Sequence, residues 1–155
     1  MSLATFAAGC FWGVETRFRA INGVITTRVG YTSGDTLNPD YKQVCTGTTG
    51  HAEAIEVDFD PQQISFEELL YFFWQMHDPT TLNRQGPDLG TQYRSAVFYH
   101  DEQQQQQALK TKQELNDSKA FPSAIVTEIT AASEFYPAEE YHQCYLEKKG
   151  LGSCH

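Results

Sequence analysis

Residues 5–31 read TFAAGCFWGVETRFRAINGVITTRVGY, and this stretch decides the fold. Thr5–Gly9 is short and apolar, as a first strand would be. From Phe11 to Ala20 the apolar side chains Phe11, Val14 and Phe18, with Ile21 beyond, recur near helical spacing. Asn22-Gly23 is a turn pair. Val24–Tyr31 alternates and is rich in β-branched residues, which predicts a second strand. At the first joint a cysteine sits between Gly9 and Gly13 and is followed at once by Phe11 and Trp12.

Downstream the same reasoning continues. Thr32–Gly50 is a long loop rich in Gly, Thr, Asn and Asp, a length that usually serves a function. His51–Phe59 alternates as a strand. Ala52, Ala54, Glu56 and Asp58 share one face, and Glu53, Ile55, Val57 and Phe59 the other. Ser65 and Glu68 make a capping box that opens a helix over Phe66–His77. A second long loop spans Asp78–Gln92. A strand is predicted over Arg94–His100, a helix over Asp101–Lys119, and a strand over Ala124–Thr130. The run Gln103–Gln107 reads as a solvated helix face. After Pro137, Ala138–Lys148 reads as a last helix. The order is β-α-β-β-α-β, then α-β-α. Its first six elements match the split βαβ arrangement. The expectation is an α+β, two-layer plait with a ferredoxin-like βαββαβ core, a mixed sheet and long loops. Residues 1–155 are expected to form one domain, with a flexible tail at about 149–155 that contains Gly150 and Gly152.

Composition narrows the function. With 40% hydrophobic and 20% charged residues the chain is globular. A net charge of −9 argues against nucleic acid and anionic membranes, which select clustered cations. No apolar run is long enough for a membrane helix. Leu3–Ala8 lacks the basic flank and length of a signal peptide, so the cytoplasm is the expected compartment. The cysteines are Cys10, Cys45, Cys144 and Cys154, with no Cys-x-x-Cys pair. In a reducing compartment they are buried thiols, metal ligands or catalysts.

Three features point to chemistry. Cys10 lies where a strand gives way to a helix, whose N-terminal N–H groups favour a thiolate. Phe11 and Trp12 would wall an apolar group beside the sulfur, or face the core. Glu53 stands on an apolar strand face, where burial would raise its carboxyl into the range of a general acid, unless Arg94 pairs with it. Tyr41 and Tyr93, in or beside the long loops, offer phenol donors for a developing oxyanion.

Four separated motifs now carry a resemblance. Gly9-Cys-Phe-Trp-Gly13, Gly50-His-Ala-Glu53, Gln85-Gly-Pro-Asp-Leu-Gly-Thr-Gln-Tyr-Arg-Ser95 and Ala138-Glu-Glu-Tyr-His-Gln143 resemble the peptide-methionine (S)-S-oxide reductase family, methionine sulfoxide reductase A, from about residue 5 to the end. The family fold is a two-layer α/β plait. The resemblance implies protein repair under oxidative stress: the S epimer of methionine sulfoxide, free or in proteins, is reduced to methionine. It implies Cys10 as nucleophile, Phe11 and Trp12 as the methyl pocket, and Glu53 as proton donor to the sulfoxide oxygen. Tyr41 and Tyr93 would hydrogen-bond that oxygen, and Asp88 would organise the pocket. Cys10 would become a sulfenic acid, condense with a second thiol to a disulfide, and be restored by an external dithiol, thioredoxin. No cofactor or metal is implied.

Many family members carry the resolving thiol in the tail, which points to Cys154. Cys144, where members usually carry another residue, is a spare thiol or an additional relay position. Cys45 resembles a family cysteine that takes no part in turnover. A thiol peroxidase or peroxide sensor would also use Cys10 and a resolving cysteine, but would need neither Glu53 nor an aromatic pocket. A metal module built from His142, Cys144, Cys154 and His155 matches no zinc spacing. A Cys–His hydrolase using His51 or His142 lacks an assignable orienting partner.

Overall fold

The computed structural model of the chain describes residues 2–145. β1 (Ser2–Ala8) leads into α1 (Phe11–Arg19), and β2 (Val24–Thr32) follows. Next come α2 (Tyr41–Cys45), β3 (Ala52–Phe59) and α3 (Phe66–Gln75). The small strands β4 (Arg84–Gln85) and β5 (Asp88–Leu89) pair with each other. The chain continues through β6 (Ser95–Tyr99), α4 (Glu102–Asp117), β7 (Glu128–Ala131) and β8 (Phe135–Pro137).

The main sheet has the order β7-β6-β1-β3-β2-β8. Its centre, β6-β1-β3-β2, is antiparallel throughout and carries the split βαβ order. β7 joins parallel to β6, and α4 supplies the crossover that a parallel pair requires, so the sheet is mixed. Strand alternation sorts the core. Ala4, Phe6, Ala8, Val29, Tyr31, Ile55, Val57 and Val97 pack with Phe18, Leu69, Leu70 and Phe73 from the helices. The opposite face holds a smaller cluster of Ala7, Ala52, Ala54, Ala96 and Phe98. The Phe6 ring stacks at 5.1 Å on Phe18 and at 5.1 Å on Phe73, fixing α1 and α3 on one side of β1.

Local chemistry accounts for where the structure departs from the periodicity. The first long loop contains α2, because Asp40 and Gln43 form a reciprocal capping box. The second contains the β4–β5 pair and a single 3-10 turn at Thr91–Tyr93. The glutamine run is not all solvated. Gln104 is buried, accepts from the His100 N–H and donates to the Leu3 carbonyl.

The largest correction concerns Ala138–Lys148. Its described part is not a continuous helix: one 3-10 turn spans Glu140–His142, Gln143 is extended, and Cys144 has φ of 52°. The Gln143 amide accepts from the Val29 N–H and donates to the carbonyls of Val29 and Ala138. The Cys144 N–H donates to Glu15 Oε1 at 2.6 Å. Bonds to β2 and α1 thus replace the helical ladder. Cys144 does not lie inside a helix.

Candidate active site

The β1–α1 joint puts Cys10 at the N-cap of α1. Gly9 has φ of 96°, and a Cβ there would lie 2.8 Å from Gln85 Cγ, so the joint needs glycine both for its conformation and for the close approach. The N–H groups of Trp12 and Gly13 point at the Cys10 sulfur. They do not produce the lowered thiol that a helix N-terminus suggests. Burial pushes the Cys10 thiol up to about 11, and the negative charges of Glu53 and Asp88 push the same way. At neutral pH the resting nucleophile is a protonated thiol.

Glu53 lies on the helix-covered face of β3, opposite Tyr31 of β2, and is 1% exposed. Its Oε1 accepts from the Phe11 N–H at 3.2 Å, and its Oε2 has no partner among the described residues. Burial lifts this carboxyl to about 8 against the pull of the Phe11 N–H, and Asp88 adds to the rise. Arg94 is occupied elsewhere, 3.7 Å from Glu128 and bonded to the Thr91 carbonyl. Glu53 is therefore an unpaired acid that holds its proton at neutral pH.

Aromatic residues close the site. The Phe11 ring is buried, 5.8 Å from Tyr31 and 6.4 Å from Tyr41. Trp12 is half-buried and stacks at 3.9 Å on Tyr145, so it forms the accessible part of the wall. Tyr41 opens α2. Burial and a hydrogen bond to Cys45 push its hydroxyl well above the ordinary phenol value. Burial, then the charges of Glu53, Cys45, Asp88 and Cys10, push Tyr93 up to about 12. Both phenols are neutral donors at pH 7. Asp88, in β5, acts electrostatically on Cys10, Glu53 and Tyr93.

The fold thus draws together Cys10, Phe11, Trp12, Tyr41, Glu53, Asp88 and Tyr93. Cys144 instead lies beside Glu15, its sulfur 4.0 Å from Oε2. Cys154 and His155 lie outside the described residues, among which no three His, Cys, Asp or Glu side chains converge on a metal position. His51 anchors the first long loop: Nδ1 accepts from the Gly34 N–H and Nε2 bonds the Thr36 carbonyl.

Sequence reasoning passed over Glu139 and Glu15. Glu139 accepts from the Tyr31 hydroxyl at 2.9 Å and the Tyr41 N–H at 3.0 Å, pinning the start of α2. Glu15 is 1% exposed and accepts from the Thr27 hydroxyl as well as from Cys144. Its position four residues after Phe11, on the apolar stripe of α1, was the available signal.

A half-buried thiol beside a buried neutral acid and an aromatic wall defines a cysteine-dependent enzyme. The family profile of peptide methionine sulfoxide reductase matches residues 2–155, and the chain belongs to that family. It is 59% identical over 148 residues to the peptide methionine sulfoxide reductase MsrA of Methanosarcina acetivorans, covering 96% of this chain and 79% of the relative. The structure is similar to reduced Mxr1 from Saccharomyces cerevisiae, with a TM-score of 0.90 and 41% identity over 97% of this chain and 87% of that one. It is also similar to Mxr1 in complex with Trx2, with a TM-score of 0.65 and 28% identity over 93% and 84% of the two chains. No helix among the described residues is long and apolar enough to cross a membrane.

Proposed function

We propose that Cys10 and Glu53 carry out the reduction that family membership assigns to this chain, methionine sulfoxide to methionine. The observation that carries the assignment of roles is the free, buried oxygen of a protonated Glu53 beside the Cys10 thiol. A sulfoxide has a positive sulfur and a negative oxygen, so attack at sulfur needs a proton delivered to oxygen. Glu53 gives its proton to that oxygen, and the carboxylate left behind takes the Cys10 proton. The thiolate so formed bonds to the sulfoxide sulfur. The protonated oxygen then passes to Cys10 as methionine leaves. Sulfoxide and thiol become sulfide and sulfenic acid, two electrons move from Cys10 to the substrate sulfur, and Glu53 ends in the state in which it began.

Tyr41 and Tyr93 donate to the oxygen as its charge changes, and Asp88 organises them. The methyl group rests on Trp12 over Phe11. A second thiol condenses with the sulfenic acid, releasing water and leaving a disulfide. Cys154 takes this role, as in family members with a tail cysteine. Thioredoxin reduces the bridge by dithiol exchange, supported by the Mxr1 complex with Trx2. The setting proposed for this chemistry is the cytoplasm, where dithiol reductants keep cysteines reduced between turnovers.

Methyl, oxygen and thiol contacts fix three directions about a chiral sulfur, so one epimer fits. Turnover of the separate epimers of a blocked methionine sulfoxide, with thioredoxin or dithiothreitol as reductant, should be confined to the S form. Equal rates on both epimers would overturn this pocket.

A further inference from the structure

We propose that Gln85 is a positioning residue, which clamps the β4–β5 hairpin to the end of α3 and against Gly9, and so fixes Asp88 in its place beside Cys10 and Glu53. This rests on the reading of Cys10 and Glu53 as the reacting pair. The hairpin forms a sheet of its own, and among the described residues no backbone ladder joins it to the main sheet. Its placement depends on its two connecting ends and on side chains. The Gln85 carboxamide takes both backbone groups of Asp78: Oε1 accepts from the Asp78 N–H at 3.1 Å, and Nε2 donates to the Asp78 carbonyl. Donor meets acceptor twice, which fixes the plane of the amide as well as its distance.

The stem of the same side chain seats the hairpin on the joint. Gln85 Cγ and Cβ lie 2.8 and 2.9 Å from where a Cβ on Gly9 would stand, so they rest on the bare backbone just before Cys10. In the hairpin register Gln85 stands directly opposite Asp88. A shift of Gln85 therefore carries Asp88 with it. Asp88 is also the hairpin charge that acts on both reacting groups, raising the thiol together with Glu53 and raising Glu53 itself. The other titratable groups nearby are accounted for. Tyr93 is a neutral phenol at pH 7, and burial keeps His77 neutral between the Phe73 carbonyl and the Ser95 hydroxyl. Arg84 is exposed and donates from Nε to the Gly86 carbonyl, and the Asp78 carboxylate accepts from the Thr80 N–H and hydroxyl.

Gln85→Met separates the clamp from the packing. It keeps a stem of the same length on Gly9, removes both bonds to Asp78, and changes a half-buried side chain, so the chain should fold. The freed hairpin carries Asp88 outward into water, and Cys10 then ionises more easily. Alkylation of Cys10 by iodoacetamide, located by peptide mass mapping on the full chain at pH 9, where Glu53 is ionised, should speed up about three- to tenfold. Asp88→Asn should speed it at least as much, and adding Gln85→Met to Asp88→Asn should change it less than about twofold. In single turnover the fall in rate above pH 8 should move to lower pH in Gln85→Met, because Glu53 loses the charge that raises it. A general loosening of the fold would scale the rate without moving that limb. Unchanged alkylation in Gln85→Met overturns the clamp. The same speeding in both backgrounds overturns its action through Asp88. Alkylation needs no sulfoxide, so a faster, Asp88-dependent reaction with an unmoved limb supports the clamp and counts against Glu53 as donor.

Discussion

Replacing Glu53 by glutamine should have opposite effects on activity and on alkaline stability, and the structure sets both magnitudes. A carboxyl at about 8 is protonated roughly ten to one at pH 7, so nearly every wild-type molecule is ready to donate. Glutamine keeps the shape and an acceptor for the Phe11 N–H but has no transferable proton. The first step, followed by single turnover, should slow by about 10²–10⁴. In the wild-type protein that step should hold constant from pH 6 to 7 and fall above pH 8, as Glu53 ionises. The variant should lose this limb. The folded-state value of Glu53 lies above its unfolded value of 4.5, so between 4.5 and about 8 the folded protein binds more protons than the unfolded. The stability associated with its protonation is fully present below 4.5 and lost as pH rises through 8. By pH 9 ionisation of this buried group costs about 5 kcal/mol, a loss the glutamine variant escapes. Urea unfolding at pH 6 and pH 9 should show the variant gaining on the wild type. A variant within threefold of wild type in single turnover would refute the donor role. So would a wild-type rate that climbed between pH 8 and 10, because a thiol ionised in advance would then carry the reaction.

Cys10→Ser should keep the fold and lose essentially all sulfoxide reduction; substantial turnover with dithiothreitol would move the nucleophile to another thiol. Mass mapping after one equivalent of substrate, without reductant, should find a Cys10–Cys154 bridge. A Cys10–Cys144 bridge that appears first, with Cys154→Ser still turning over on thioredoxin, would make Cys144 the resolver. Glu139→Ala strands the buried Tyr31 hydroxyl and should cost about 1–3 kcal/mol in urea unfolding. Combining it with Tyr31→Phe should cost less than the sum of the two, and strict additivity would remove the pair from the account.

The elements whose apolar period was unbroken were legible: β1, α1, β2, β3 and α3 fall close to where alternation and the Ser65 capping box put them. Glu53 was legible for the same reason, because an acid on an otherwise apolar face contradicts the period that surrounds it. The C-terminal segment was misread because Pro137, Glu139 and Glu140 look like a helix start. Only the fold reveals that Gln143 and Cys144 have bonding partners on β2 and α1. The Cys10 thiol was misjudged by a comparison of effects. Two N–H groups at a helix start favour a thiolate, but the sequence cannot show the burial, or the approach of Glu53 and Asp88, that outweigh them. The preference for Cys154 over Cys144 gains an argument that the sequence did not offer: Cys144 is anchored to Glu15, five residues beyond Cys10 and about 7.5 Å along the helix axis.

One cause, burial, raises both the thiol and the acid, and this makes the pair selective. In the empty site Cys10 and Glu53 each hold a proton at pH 7 and neither carries a charge. With a thiol at about 11, the thiolate fraction at pH 7 is about one in ten thousand, too small for rapid reaction with a passing peroxide. A thiol peroxidase needs a standing thiolate, and here none is maintained. On the proposed mechanism a sulfoxide changes the balance, because its oxygen is itself an acceptor for the Glu53 proton. Once that proton moves, on the same mechanism, the carboxylate is a base in a desolvated site beside the Cys10 thiol. The nucleophile is on that mechanism generated by the substrate whose sulfur it attacks. Between uses Cys10 is kept in the protonated form that oxidants attack most slowly.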